Sequence, residues 1–166
     1  MTLNPRKPVA EIAAEMGVSL LTPHLACRDC SRAIEFYRQA FGAEEMMRLP
    51  GPDGRLLHAA IRLNGGMVML NDEYPEMGGQ SPLSLGGTPV TLHLMVDDAD
   101  AAAAKAVAAG AELVMPVSEQ FWGDRYGVVK DPFGHQWSIA TPVWPPKSPE
   151  EMEAARDAAM QKMSGG

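Results

Sequence analysis

Two stretches of the chain share one rhythm of apolar and polar positions. Over 20–27 a short apolar strand pattern leads into Arg28-Asp29-Cys30, a helical spacing follows over 31–41, and Gly42-Ala43-Glu44 ends it. Over 90–96 a similar strand leads into Asp97-Asp98, then an Ala-rich helix to 109, then Gly110-Ala111-Glu112. His24 and His93, Asp29 and Asp98, and Gly65 and Gly134 each stand 69 residues apart, and Gly42 and Gly110 stand 68 apart. One offset shared by separate landmarks marks two copies of one module, with a residue gained or lost inside a helix. Asp29 and Asp98 suit N-caps, where a carboxylate accepts orphan N–H groups, and Gly42 and Gly110 suit left-handed C-caps. Three strands are predicted to follow in each copy, near 44–49, 56–63 and 67–72, then near 112–118, 124–130 and 135–140. Asn64-Gly65 signals a tight hairpin in the first copy, and Asp131-Pro132-Phe133-Gly134 a type I turn in the second. Each module therefore reads βαβββ.

The expected organisation is an arm over 1–18 with a short helix over 9–16 and a single domain over 19–141. Within the domain, module one spans 19–75, a Gly-, Ser- and Pro-rich linker 76–88, and module two 89–141. A tail over 142–166 starts with prolines and ends in a helix opened by Ser148-Pro149, whose Met152, Ala155, Ala159 and Met163 form a weak apolar stripe. The fold class is α+β, the two modules forming one cupped, mixed but mostly antiparallel sheet with helices outside.

Composition narrows the function. The 166 residues are 46% hydrophobic and 21% charged, enough for one core and too little for two domains. A net charge of −7 without a Lys/Arg block disfavours nucleic acid and anionic membrane as partners. No apolar run approaches the ~18 residues of a spanning helix, and Arg6 and Lys7 lead into no apolar stretch of a secretory signal. Two cysteines make no disulfide framework, so a cytoplasmic location is expected.

Candidate chemistry lies on one strand face. Alternation sets Leu92, Leu94 and Val96 against Thr91, His93 and Met95, and Leu21, Leu25 and Cys27 against Thr22, His24 and Ala26. Met67, Met69, Asn71 and Glu73 share a parity, as do Gln136, Ser138 and Ala140. A sheet face carrying His, Thr, Gln and Ser beside flexible Met reads as a ligand-binding interior.

With these residues in view, the chain resembles the vicinal oxygen chelate superfamily of glyoxalase I, bleomycin-resistance proteins and extradiol dioxygenases, in particular its uncharacterised glyoxalase-like branch. The resemblance rests on Ala33-Ile34-Glu35-Phe36-Tyr37 with Phe41-Gly42-Ala43, Ala108-Ala109-Gly110-Ala111, Phe121-Trp122-Gly123-Asp124-Arg125-Tyr126-Gly127 and Asp131-Pro132-Phe133-Gly134-His135, over about 19–141. It implies the paired-module fold, commonly a homodimer, and in metal enzymes of the family four His or Glu ligands on the first and last strand of each module. Those positions fall on Thr22, Met69, Thr91 and Ser138, none a usual ligand for Zn, Fe, Ni or Mn. No cofactor is therefore expected. A shifted set of His24, Glu73 and His93 would be the route to a divalent Zn, Ni, Mn or Fe ion and a lyase, isomerase or dioxygenase reaction.

The leading expectation is a small-molecule binder or metal-independent catalyst. His24 and His93 would be the catalytic imidazoles, able to act as general base or acid near pH 7. Thr22, Met67, Met69, Thr91, Met95, Gln136 and Ser138 would line the ligand, with Trp122 stacking and Arg125 pairing an anion at the mouth; a surface Asp124–Arg125 pair is the plainer use of that arginine. His58 and His135 read as structural or exposed. Cys27 and Cys30 read as incidental spacing at a helix start, where the dipole can lower the Cys30 pKa.

Overall fold

The computed structural model describes residues 7–165; residues 1–6 of the expected arm and residue 166 of the tail lie outside them. In chain order the elements are α1 (Val9–Met16), β1 (His24–Cys27), α2 (Cys30–Phe41), β2 (Glu44–Pro50), β3 (Leu56–Leu63) and β4 (Gly66–Asp72). A one-turn 3-10 helix (Pro75–Met77) and α3 (Pro82–Leu85) occupy the linker. Then come β5 (Thr91–Met95), α4 (Ala99–Ala109), β6 (Glu112–Glu119), β7 (Arg125–Lys130), β8 (Gln136–Thr141) and α5 (Pro149–Ser164). The chain divides into two compact units, one of residues up to 38 with 42–86, the other of 39–41 with 87 onward.

Each unit holds the four strands of one βαβββ module, and the α+β architecture is as the sequence predicts. Where one cupped sheet was expected, the eight strands hydrogen-bond as two sheets of four, because strand pairing stays within each module, ordered β1-β4-β3-β2 and β5-β8-β7-β6. In both sheets the first pair is parallel and the other two are antiparallel. A parallel pair needs a crossover, and α2 and α4 lie in those crossovers. Asp29 and Asp98 cap them, accepting from Arg32 N and Ala101 N at 3.0 Å each. The helices end at Gly42 (φ 69°) and Gly110 (φ 121°), backbone conformations a Cβ would strain.

A second contact repeats at the same spacing. Asp72, at the end of β4, accepts from Cys30 N at 2.7 Å and from Leu56 N at 2.6 Å. Thr141, at the end of β8, accepts from Ala99 N through Oγ1 at 2.8 Å. Each last strand thus satisfies the first helical N–H group of its module, one of the four that a helix leaves without an internal partner.

The core sits on the helical side of each sheet. In module one it gathers Ala33, Ile34 and Tyr37 of α2 with Leu25, Cys27, Ile61 and Leu70, all buried; each large aliphatic side chain contributes about 1.5–3 kcal/mol. In module two α4 offers only Ala99, Ala103 and Ala106, while Val129, Trp137 and Ile139 supply the bulk, with Phe41 at 5.0 Å from Trp137. Asp131 is buried and holds the β7–β8 turn, accepting from Phe133 N, His135 N and Trp137 Nε1 at 2.9 Å each. His135 is buried in that turn. The tail helix α5 has a full capping box between Ser148 and Glu151 and no buried residue. Among the described residues no helix is long and apolar enough to cross a membrane.

Candidate functional site

The face of each sheet away from the buried helix-side residues carries the polar positions, and strand register fixes their layout. In module one His24 pairs with Met69, which pairs with Ala60; one step along, Ala26 pairs with Asn71, and His58 lies one residue beyond the Ala59–Leu70 pair. The block therefore has His24 and His58 at opposite corners, Ala26 and Ala60 at the other two, and Met69 and Asn71 between them. The two imidazoles meet edge to face, centroids 5.7 Å apart at 88°. Burial, then the neighbouring His58, hold the His24 pKa below the usual histidine value, against a hydrogen bond to Asn71 that raises it. Met67 and Met69 are half-buried on the same face.

The same block in module two reads His93–Ser138–Val128 and Met95–Ala140–Tyr126. His93 is exposed, with Nδ1 at 2.8 Å from Ser138 Oγ. Its ring lies 6.2 Å from that of Tyr126 at 19°, and Trp122 stands edge-on to Tyr126 at 5.6 Å, with Phe121 edge-on to Trp122 at 5.0 Å. Gln136 donates to Thr91 Oγ1 at 3.2 Å. Met95 is 58% exposed beside them.

Other expected residues go elsewhere. Arg125 neighbours Tyr126 on β7 and so points to the opposite side, where its guanidinium forms two bonds with Asp100 of α4, at 2.6 and 2.7 Å. The weighed Asp124–Arg125 pair is therefore replaced by Arg125–Asp100, and Asp124 instead accepts from Val143 N at 2.9 Å. Thr22 precedes β1 and its hydroxyl is turned to Ser19 O at 3.4 Å. Glu73 is drawn into the linker: Oε1 accepts from Arg28 at 3.1 Å, and Oε2 from Ser81 N at 2.9 Å and Ser84 Oγ at 2.7 Å. Cys27 and Cys30 are buried thiols. Burial first, and then the Asp72 carboxylate, push the Cys30 pKa up to about 12, so the helix start does not activate it. His58, read from sequence as structural or exposed, stands half-buried against His24. Tyr126, read only as part of an aromatic loop, occupies the matching corner of module two.

The four positions that the resemblance implies for metal ligands carry side chains that do not suit a divalent ion. Thr22, Thr91 and Ser138 are hydroxyls engaged by Ser19, Gln136 and His93, and Met69 is a thioether. Among the described residues no group of three or more His, Cys, Asp or Glu side chains is placed to hold a metal. A groove of about 460 Å³ opens on the helical side of module two, lined by Ala103, Ala104, Val107, Leu113 and Val117 with Asp100 at its edge. Asp100 is already bound by Arg125, so no unengaged charged group reaches that groove.

The sequence model of the Glyoxalase/Bleomycin resistance protein/Dioxygenase superfamily matches residues 18–139. The uncharacterized protein Rv0887c of Mycobacterium tuberculosis (strain ATCC 25618 / H37Rv) is 59% identical over 126 residues, covering 74% of each chain. Among solved structures, TioX from Micromonospora sp. ML1 is similar at a TM-score of 0.60 and 29% identity, over 75% of this chain and 99% of that one. The Arabidopsis thaliana At5g48480 gene product matches at 0.59 and 32%, over 74% and 98%.

Proposed function

Since the chain belongs to the glyoxalase/bleomycin resistance protein/dioxygenase superfamily, we propose that it binds a small planar organic molecule on the polar sheet face of module two. It acts there in the cytoplasm as a sequestering protein or a metal-independent catalyst. The observation that carries the reading is the His93–Tyr126 pair, two exposed or half-buried rings 19° from parallel with an aromatic ladder of Trp122 and Phe121 behind them. Such surfaces attract flat π-systems by offset stacking, worth about 0.5–1.5 kcal/mol per ring pair beyond area burial.

Ser138 adds the chemistry. A hydroxyl is both donor and acceptor, so it can stabilise either neutral tautomer of His93 through Nδ1, leaving Nε2 to present a lone pair or an N–H to the ligand. An imidazole held this way can orient a polar ligand edge. It can also move a proton at an enolisable carbon without any metal.

The test is titration of the full chain with a panel of planar heteroaromatics and enolisable acids, followed by tryptophan fluorescence. A supporting result is saturable quenching that disappears in Trp122→Phe, with His93→Ala and Tyr126→Ala each weakening the bound compound at least tenfold. Quenching that is indifferent to all three variants would overturn the proposal. Turnover at substoichiometric protein then separates catalyst from sequestering protein.

A further inference from the structure

The groove on the helical side of module two has a lining unlike that of its repeat, and it lies across the sheet from the ligand face proposed above. α4 packs on β6 and β7, and small side chains meet between α4 and β6: Ala103, Ala104 and Val107 from the helix, Leu113 and Val117 from the strand. Counted from the caps Asp29 and Asp98, Ala104 stands where α2 has Glu35, and Val107 where it has Arg38. On the strand, Leu113 pairs with Val129 as Glu45 pairs with Ile61, and Val117 lies against Gly127 as Arg48 pairs with Ala59. Gly127 makes that approach possible, since a Cβ there would stand 2.7 Å from Val117 Cγ2. Module one dresses its crevice with two ion pairs, Arg38–Glu35 at 3.2 Å and Arg48–Glu45 at 2.6 Å. Module two has an apolar residue at all four positions, with Val107 and Leu113 left 41% and 46% exposed.

We propose that this groove binds an amphiphilic cation, an amine on a compact apolar body, with the body between α4 and β6 and the ammonium head at the Asp100 end. The lining selects the body. Asp100 is its one polar side chain, and a volume of about 460 Å³ suits a drug-sized molecule. The charge at that end selects the head. Asp100 is paired with Arg125. Glu119, the register partner of Arg125, stands just outside the lining, two residues beyond Val117 on the same strand face. Asp98, the cap of α4, precedes Asp100 by two residues. Three carboxylates thus surround one guanidinium, and Asp100 first, then Glu119 and Asp98, favour its charged form. The net negative potential left at the mouth attracts a cation and repels a carboxylate.

The experiment is isothermal titration calorimetry of the full chain with octylammonium, octanol and octanoate, which share one alkyl chain and differ in head-group charge. Octylammonium is expected to saturate at one per chain and to bind at least tenfold more tightly than octanoate, with octanol between them. Two double variants rebuild the module one crevice, Ala104→Glu with Val107→Arg and Leu113→Glu with Val117→Arg. Each should weaken octylammonium at least tenfold. Circular dichroism establishes that they are folded, and either serves if the other is not. Glu119→Gln should narrow the gap between octylammonium and octanol several-fold, and raised salt should do the same. His93→Ala, on the other face of the sheet, should leave the titration unchanged. Octanoate bound as tightly as octylammonium, no saturable binding, or binding unmoved by a folded double variant would overturn the proposal.

Discussion

The two modules place chemically different residues on one shared framework. Both set a histidine on the first strand beside the last strand of the sheet, at matching register positions. Both bring an aromatic ring from the third strand against it, His58 in one and Tyr126 in the other. What changes is the filling between. Module one puts Met69 and Asn71 there and leaves alanines at the free corners, whereas module two puts Ser138 and Ala140 there and adds Trp122 beside Tyr126. The repeated backbone fixes where a functional group can stand, and a handful of substitutions decide which kind. Equivalent framework contacts also differ in strength, and that asymmetry can be measured.

The turns between the last two strands should show the largest difference. In module one Asn64 and Gly65 close the hairpin in left-handed backbone conformations, at φ 45° and 78°. In module two Asp131 holds two buried N–H groups and the Trp137 indole. Asp131→Ala should therefore cost about 3 kcal/mol or more, through unsatisfied buried donors. Asn64→Ala should cost about 1 kcal/mol. Urea denaturation of both variants checks the ratio, and equal costs would remove Asp131 from its place as the organiser of module two.

Next come the last-strand contacts to the helix starts. Asp72→Ala strips two backbone donors of a charged acceptor and should cost about 2–4 kcal/mol, while Thr141→Val strips one and should cost about 1 kcal/mol. Thermal unfolding with calorimetry resolves a difference of that size.

Glu73 has no counterpart, since the position 69 residues on is Pro142. The Ser81 N–H, the Ser84 hydroxyl and Arg28 hold its pKa down from 4.5 to about 2. A depressed carboxylate adds stability above its unfolded pKa and loses it as the folded group protonates. The wild-type advantage over Glu73→Gln should be full above about pH 5 and shrink as pH falls from about 4.5 toward 2. Denaturation at pH 7 and pH 3 checks it. A gap that stayed constant would show that the carboxylate charge does not secure the linker.

The smallest effect tests the sameness of the modules. Asp29→Ala and Asp98→Ala should each cost about 1 kcal/mol and differ little, because both side chains make one cap bond at 3.0 Å.

Much of this framework was legible in the sequence because local rules govern it. Caps, the Asn64-Gly65 turn and strand alternation are short-range, and they give the order of elements and the faces of His93 and Met69. The His24–His58 meeting was legible too: counting back from a two-residue hairpin puts His58 beside Asn71, yet the lone histidine was read as structural. Arg125 was not legible. Its partner Asp100 lies 25 residues away on α4, and only the packing of α4 on β7 brings them together. The β1 strand starts at His24, later than the apolar pattern suggested, because Thr22 turns back to Ser19 before the parallel pairing begins. Burial likewise decides Cys30, since a helix start lowers a thiol pKa only where solvent or a cation can stabilise the thiolate.

The parallel pairing has a consequence in time. Forty-five residues separate His93 from Ser138, whereas the strands β6, β7 and β8 follow one another directly along the chain. Loop closure over such a span is slower than zipping a hairpin. The meander of three antiparallel strands should therefore assemble first and the histidine-bearing strand dock onto it last, in both modules. β1 and β5 each lie at one end of their sheet order, with β2 and β6 at the other, so these four edge strands are expected to exchange amide hydrogens sooner than the central ones. The folding chain thus assembles its aromatic and thioether groups, with His58, before His24 or His93 docks, and it gains binding capacity only on completing the slowest step of its own folding.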